Sequence, residues 1–120
     1  MNPAAPTVLI ADDHAGFRSC MRDVCQSIGA EVLECETGEE AVEHFLRTRP
    51  NWVLMDLEME GMGGIEATRE IMNSSSEARV IVVTNHDGEE QRAAAYEAGA
   101  WNYVNKDNFL SVRQILAETE

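Results

Sequence analysis

Short apolar runs alternate with amphipathic stretches along the whole of this chain. Val8-Leu9-Ile10-Ala11 carries no polar alternation, as expected of a strand covered on both faces. After it, Phe17, Met21, Val24, Cys25 and Ile28 recur at helical spacing and predict one inward face, closed at Gly29. Val32-Leu33-Glu34-Cys35 reads as a second, more polar strand nearer an edge. Thr37 and Glu40 form a capping box for a second helix, with Ala41, Val42, Phe45 and Leu46 inward. Trp52-Val53-Leu54-Met55 is a third strand running straight into Asp56. Gly61-Met62-Gly63-Gly64 reads as a turn into a helix with Ile65, Thr68 and Met72 on one face, followed by a loop at Asn73-Ser74-Ser75-Ser76. Val80-Ile81-Val82-Val83 is the most apolar run and predicts a central strand. Asp87 and Glu90 make another capping box, for a helix that carries Ala94, Ala95 and Ala98 and closes at Gly99. Trp101-Asn102-Tyr103-Val104 predicts a fifth strand, and a last helix begins near Asp107.

A strand–helix pair repeated in this way predicts a parallel sheet with helices on both faces. The 120 residues are enough for one α/β domain spanning 1–120. Composition changes little: 44% hydrophobic and 26% charged residues are ordinary for a globular domain. Charge changes more. A net −13 repels phosphate backbones and anionic lipid, so no direct nucleic-acid or membrane binding is expected. No apolar run reaches spanning length, and Met1 to Pro6 lacks a basic leader region, so the cytoplasm is the expected location. Cys20, Cys25 and Cys35 are odd in number and show no zinc spacing, which predicts reduced, mostly buried thiols.

Four of the five predicted strands end in a conspicuous polar group: Asp12-Asp13, Asp56, Thr84, and Lys106 just past the fifth. In an open α/β sheet, ligands bind beyond the carboxyl ends of the strands where strand order reverses. With the order 2-1-3-4-5, strands one and three flank that reversal. Asp12, Asp13 and Asp56 then converge, with Thr84 and Lys106 on the other side. Three close carboxylates repel one another and suit a hard cation such as Mg2+. A carboxylate can also attack phosphorus to form an acyl phosphate, a reaction governed by positioning and electrostatics.

Each residue alone has an ordinary explanation. Asp12 or Asp13 could serve as an Asx turn or helix cap, Thr84 as a strand-end hydroxyl, Lys106 as a solvated lysine. The glycine-rich loop lacks the P-loop pattern and follows the wrong strand for one. His14, His44 and His86 share no ligand spacing and suit surface or capping roles. The joint pattern of strand ends is much more specific than any member.

Ile10-Ala11-Asp12-Asp13-His14, Val53-Leu54-Met55-Asp56-Leu57, Val82-Val83-Thr84 and Tyr103-Val104-Asn105-Lys106 together resemble the receiver domains of bacterial two-component response regulators. Lys106-Asp107 and the opening Asp-Asp-His are closest in pattern to receivers attached to helix-turn-helix (LuxR/NarL-type) transcriptional regulators. The resemblance covers essentially the whole chain. It implies a flavodoxin-like (βα)5 three-layer sandwich and a phosphoryl-accepting switch. Asp56 matches the phosphoacceptor; Asp13 matches a direct Mg2+ ligand, and Asp12 an acid acting through a metal-bound water. The Glu58 backbone carbonyl would be a further metal ligand. Thr84 and Lys106 match the groups that meet the phosphoryl, and Tyr103 the aromatic switch that swings inward with Thr84. The implied partners are a sensor histidine kinase or phosphotransfer protein, a second copy after phosphorylation, and a C-terminal DNA-binding effector domain that these 120 residues do not contain.

Three positions depart from the pattern. Glu60 stands where the family often has proline, Asn85 where many relatives have a smaller residue, and Asp107 where many have proline. Asn85 would narrow access to Asp56, and Glu58 would tune hydrolysis of the phosphoryl group. Two other functions compete with the switch. A pseudo-receiver would bind partners without phosphorylation. A small phosphatase would use Asp56 as nucleophile and Glu58 as acid/base, but its usual acid pair follows the first strand, not the third.

Overall fold

The computed structural model describes residues 5–86 and 88–118. The strands are β1 (Thr7–Ala11), β2 (Glu31–Cys35), β3 (Trp52–Met55), β4 (Val80–Thr84) and β5 (Asn102–Asn105). The helices are α1 (Ala15–Ser27), α2 (Gly38–Thr48), α3 (Gly64–Ser74), α4 (Glu89–Glu97) and α5 (Leu110–Glu118), with a 3-10 turn at Lys106–Asn108. All strand pairs are parallel and the sheet order is β2-β1-β3-β4-β5, the flavodoxin-like arrangement.

Two cores flank the sheet because each strand points alternate side chains to opposite faces. Val8, Ile10, Leu54, Ile81 and Val83 pack with Met21 and Cys25 of α1 and with Val112 and Leu116 of α5. Leu9, Ala11, Val53, Met55 and Val80 pack with Ala41 and Phe45 of α2 and with Ala67 and Ile71 of α3. Both faces of β1, β3 and β4 are therefore covered, which is why their sequences lack polar alternation.

Several sequence expectations are corrected at element ends. Neither Asp12 nor Asp13 caps α1: His14 is the N-cap, its Nδ1 accepting from the Phe17 N–H. Asp12 instead makes the Asx turn, accepting from the His14 N–H at 2.8 Å. The capping box of α2 is present with one change. Thr37 accepts from Glu40 N–H, but Glu40 reaches back to the amide of Glu36, one residue beyond the cap. At α4 the N-cap is Gly88, with no side-chain cap, and Asp87 lies outside the described residues. Leu46 is exposed, so the inward face of α2 is narrower than its periodicity suggests, and that of α3 is shifted onto Ala67, Thr68 and Ile71. Trp101 is half exposed, and β5 begins one residue later. Cys20 is exposed while Cys25 and Cys35 are buried; all three are free. Burial pushes the Cys25 thiol up to about 11 and the Cys35 thiol up to about 12, so neither offers a thiolate at neutral pH.

Candidate functional site

The sheet's hydrogen-bond ladder runs on by one residue at β1 and at β3, and this places two carboxylates side by side. The Asp12 amide donates to the Cys35 carbonyl at 3.1 Å, and the Asp56 amide to the Ala11 carbonyl at 3.0 Å. Asp12 is fully buried and Asp56 is 4% exposed, whereas Asp13 faces solvent. One oxygen from each of the three lies within 4.8 Å of the others.

Gly64 sets the depth of Asp56. A Cβ on Gly64 would come 2.0 Å from the Asp56 carbonyl oxygen, so only glycine lets α3 start this close. Arg18 braces the other acid by donating to the Asp12 carbonyl at 2.7 Å, and is itself held by Glu34. Nothing in the spacing of the sequence singles out Arg18.

Lys106 enters from the end of β5. Its ammonium lies 2.9 Å from Asp12 Oδ2 and 3.5 Å from Asp56 Oδ2, with the Phe17 ring 4.6 Å away. The contact with Asp12 is one of charge rather than of hydrogen-bond geometry. Oδ2 is buried and accepts no well-formed hydrogen bond from the described residues. A buried carboxylate oxygen so placed, beside two further carboxylates, is the donor set a small hard cation requires. The residues present therefore fit Mg2+.

Thr84, the last residue of β4, is fully buried, and its hydroxyl accepts from the His86 amide at 3.3 Å. Tyr103 is buried, its hydroxyl donates to the His86 carbonyl at 2.8 Å, and Arg92 lies over its ring. Glu58 and Asn85 are exposed, and Glu58 Oε2 lies 3.0 Å from His86 Nε2, joining the loops after β3 and β4. This pair too has no sequence signal, since it joins separate loops.

The model of the response regulator receiver domain family matches residues 8–118. The chain belongs to that family. Among its relatives, the response regulator UvrY of Escherichia coli K12 is 38% identical over 101 residues, covering 82% of this receiver and 46% of UvrY. The receiver thus spans about half the length of that relative. The chemotaxis protein CheY of Thermotoga maritima is 37% identical over 100 residues, covering 82% of the receiver and 83% of CheY. A solved LuxR-family two-component response regulator from Aurantimonas sp. SI85-9A1 superposes with a TM-score of 0.84 at 32% identity, covering 98% of the receiver and 89% of that chain.

A cavity of about 720 Å3 lies at the other pole of the sheet and is lined by Arg49, Arg79, Pro50 and Leu116 among others. The C-terminal ends of helices gather there, and their partial negative charge suits the two guanidiniums and disfavours anions. The helix N-termini lie at the acidic pole instead, and their partial positive charge favours anions.

Burial raises the Asp56 carboxyl above the usual range, and the neighbouring Asp12 raises it further; Lys106 and the Glu58 amide only partly offset this. A group whose folded pKa is raised favours folding fully below its unfolded value, near 3.9, and loses that contribution as pH rises through the folded value. Asp56→Asn is therefore expected to stabilise the metal-free receiver at neutral pH, by on the order of 1 kcal/mol or roughly 4 °C in Tm. The gain should vanish near pH 4. Thermal melts across that range check it, and equal Tm values at pH 7.5 would contradict it.

Proposed function

We propose that this receiver is a phosphoryl-accepting switch of a two-component phosphorelay, with Asp56 as the acceptor. The observation that supports it best is the buried Asp56 carboxylate set between a cation site and the Lys106 ammonium. Asp12, Asp13, Asp56 and the Glu58 carbonyl would hold Mg2+, with Asp12 acting through a metal-bound water. Bound there, Mg2+ would neutralise charge on the phosphoryl oxygens.

An Asp56 oxygen attacks phosphorus, and the P–N bond to the donor imidazole of a histidine kinase or phosphotransfer protein breaks. The imidazole leaves with the electron pair, and an acyl phosphate remains on Asp56. Lys106 then has a phosphoryl oxygen to pair with in addition to Asp12. Thr84 gives up the His86 amide and turns its hydroxyl to the same group. Because the Tyr103 hydroxyl already holds the His86 carbonyl, movement of that loop is transmitted to the face of α4, β5 and α5.

The chain is then a phosphoacceptor that catalyses only its own phosphorylation and dephosphorylation, not a turnover enzyme. Its resemblance to receivers of helix-turn-helix regulators supports a DNA-binding effector domain in the full-length protein, control of transcription, a second copy as partner, and a place in the cytoplasm. None of the described helices is long and apolar enough to cross a membrane.

Intact-protein mass after incubation with acetyl phosphate and Mg2+ tests this reading. Asn85 and Glu58 are the tuning positions, since both are exposed in the loops beside the acceptor. Glu58→Ala should change the half-life of the phosphorylated form several-fold, because it also removes the partner of His86, without preventing phosphorylation. Decay followed by mass spectrometry reads this directly, and an unchanged half-life would refute it.

A further inference from the structure

The loop between Asp56 and α3 carries the Glu58 carbonyl, yet it has Glu60 where the family often has a conformation-fixing proline. Its tether comes from a different element. Both carboxylate oxygens of Glu39, in the first turn of α2, lie 3.0 Å from the Met62 amide and accept its N–H. Two glycines make this approach possible. Gly61 has φ +74°, and a Cβ there would sit 2.8 Å from either Glu39 oxygen. At Gly38 a Cβ would come 2.2 Å from the Met62 carbonyl oxygen, so α2 and the loop touch backbone to backbone. The other end of the loop is held by the Gly64 amide, which donates to the Leu57 carbonyl at 3.3 Å.

We infer that Glu39 is a positioning residue for the metal site: by accepting the Met62 N–H, its carboxylate fixes the loop and so keeps the Glu58 carbonyl in one place. This rests on the reading of Asp12, Asp13, Asp56 and Glu58 as Mg2+ ligands. Glu39 itself is not among those ligands. Holding a ligand-bearing loop in its bound form before the cation arrives lowers the ordering cost of binding. Glu39 also adds negative charge to this acidic pole, and the test must separate that from the tether.

Glu39→Ala removes both the hydrogen bond and the charge, whereas Glu39→Gln keeps an acceptor oxygen and removes only the charge. Two quantities are read by NMR: amide exchange at Met62 in the metal-free receiver, and the Kd for Mg2+ from MgCl2 titration. In Glu39→Ala, Met62 exchange should be at least roughly tenfold faster and the Kd about fivefold higher, while Glu39→Gln stays within about twofold of wild type on both. An unchanged Kd in Glu39→Ala, or a Kd in Glu39→Gln as weak as in Glu39→Ala, would overturn the inference. If wild type binds no Mg2+, the metal reading itself is lost. Met62 exchange then still decides whether Glu39 holds the loop.

Discussion

Lys106→Met should lower the stability of the metal-free receiver by about 2 kcal/mol at pH 7.5, roughly 8 °C in Tm. Lys106 is the cation that faces both buried carboxylates: its Nζ lies 2.9 Å from Asp12 and 3.5 Å from Asp56. Methionine keeps most of the side-chain volume and the contact with Phe17, so the loss is one of charge. Two neighbouring carboxylates would be left without a compensating cation, and one must take a proton for the site to stay closed.

The sign with pH follows. Lys106 holds the raised Asp56 carboxyl down, so removing it lifts the folded-state pKa of Asp56 further above the unfolded value. The deficit should therefore be small near pH 4 and grow as pH rises through the raised carboxylate range. Mg2+ should recover part of it. At ten times its Kd, the cation adds about 1.4 kcal/mol by mass action. Denaturant melts at pH 4.5 and 7.5, with and without Mg2+, check this. A deficit that does not depend on pH would mean that Lys106 contributes packing alone. Phosphorylation should also slow in this variant, because Lys106 is the protein cation nearest the acceptor.

The site was legible in the sequence because topology does the positioning. Asp12, Asp56 and Thr84 stand at strand ends, and a 2-1-3-4-5 sheet brings those ends together whatever the loops do. Lys106 follows β5 for the same reason. What could not be read is carried by side chains reaching between elements. Glu39 bonds an amide 23 residues away, Arg18 supports Asp12 across α1, and Glu58 meets His86 across two loops. No periodicity encodes such contacts. Local competition hid the rest. His14 outcompeted the aspartates as the cap of α1 because Asp12 is committed to the Asx turn. Leu46 and Cys20 sit at the margins of helical faces, where spacing alone does not decide burial. Tyr103 is buried and its hydroxyl donates to the His86 carbonyl, a contact between β5 and the loop after β4 that no spacing in the sequence encodes.

Asp56 is proposed to accept a phosphoryl group with the help of a cation. Intact-protein mass spectrometry after incubation with acetyl phosphate tests it most directly, on wild type with Mg2+, wild type with chelator, and Asp56→Asn with Mg2+. Wild type with Mg2+ should gain the mass of one phosphoryl group, and the other two samples should gain none, a drop of at least roughly 100-fold in labelling. Equal labelling of Asp56→Asn would place the chemistry on another residue. No labelling of wild type, either with acetyl phosphate or with a phosphorylated histidine kinase, would contradict the account and leave a receiver that signals without phosphate.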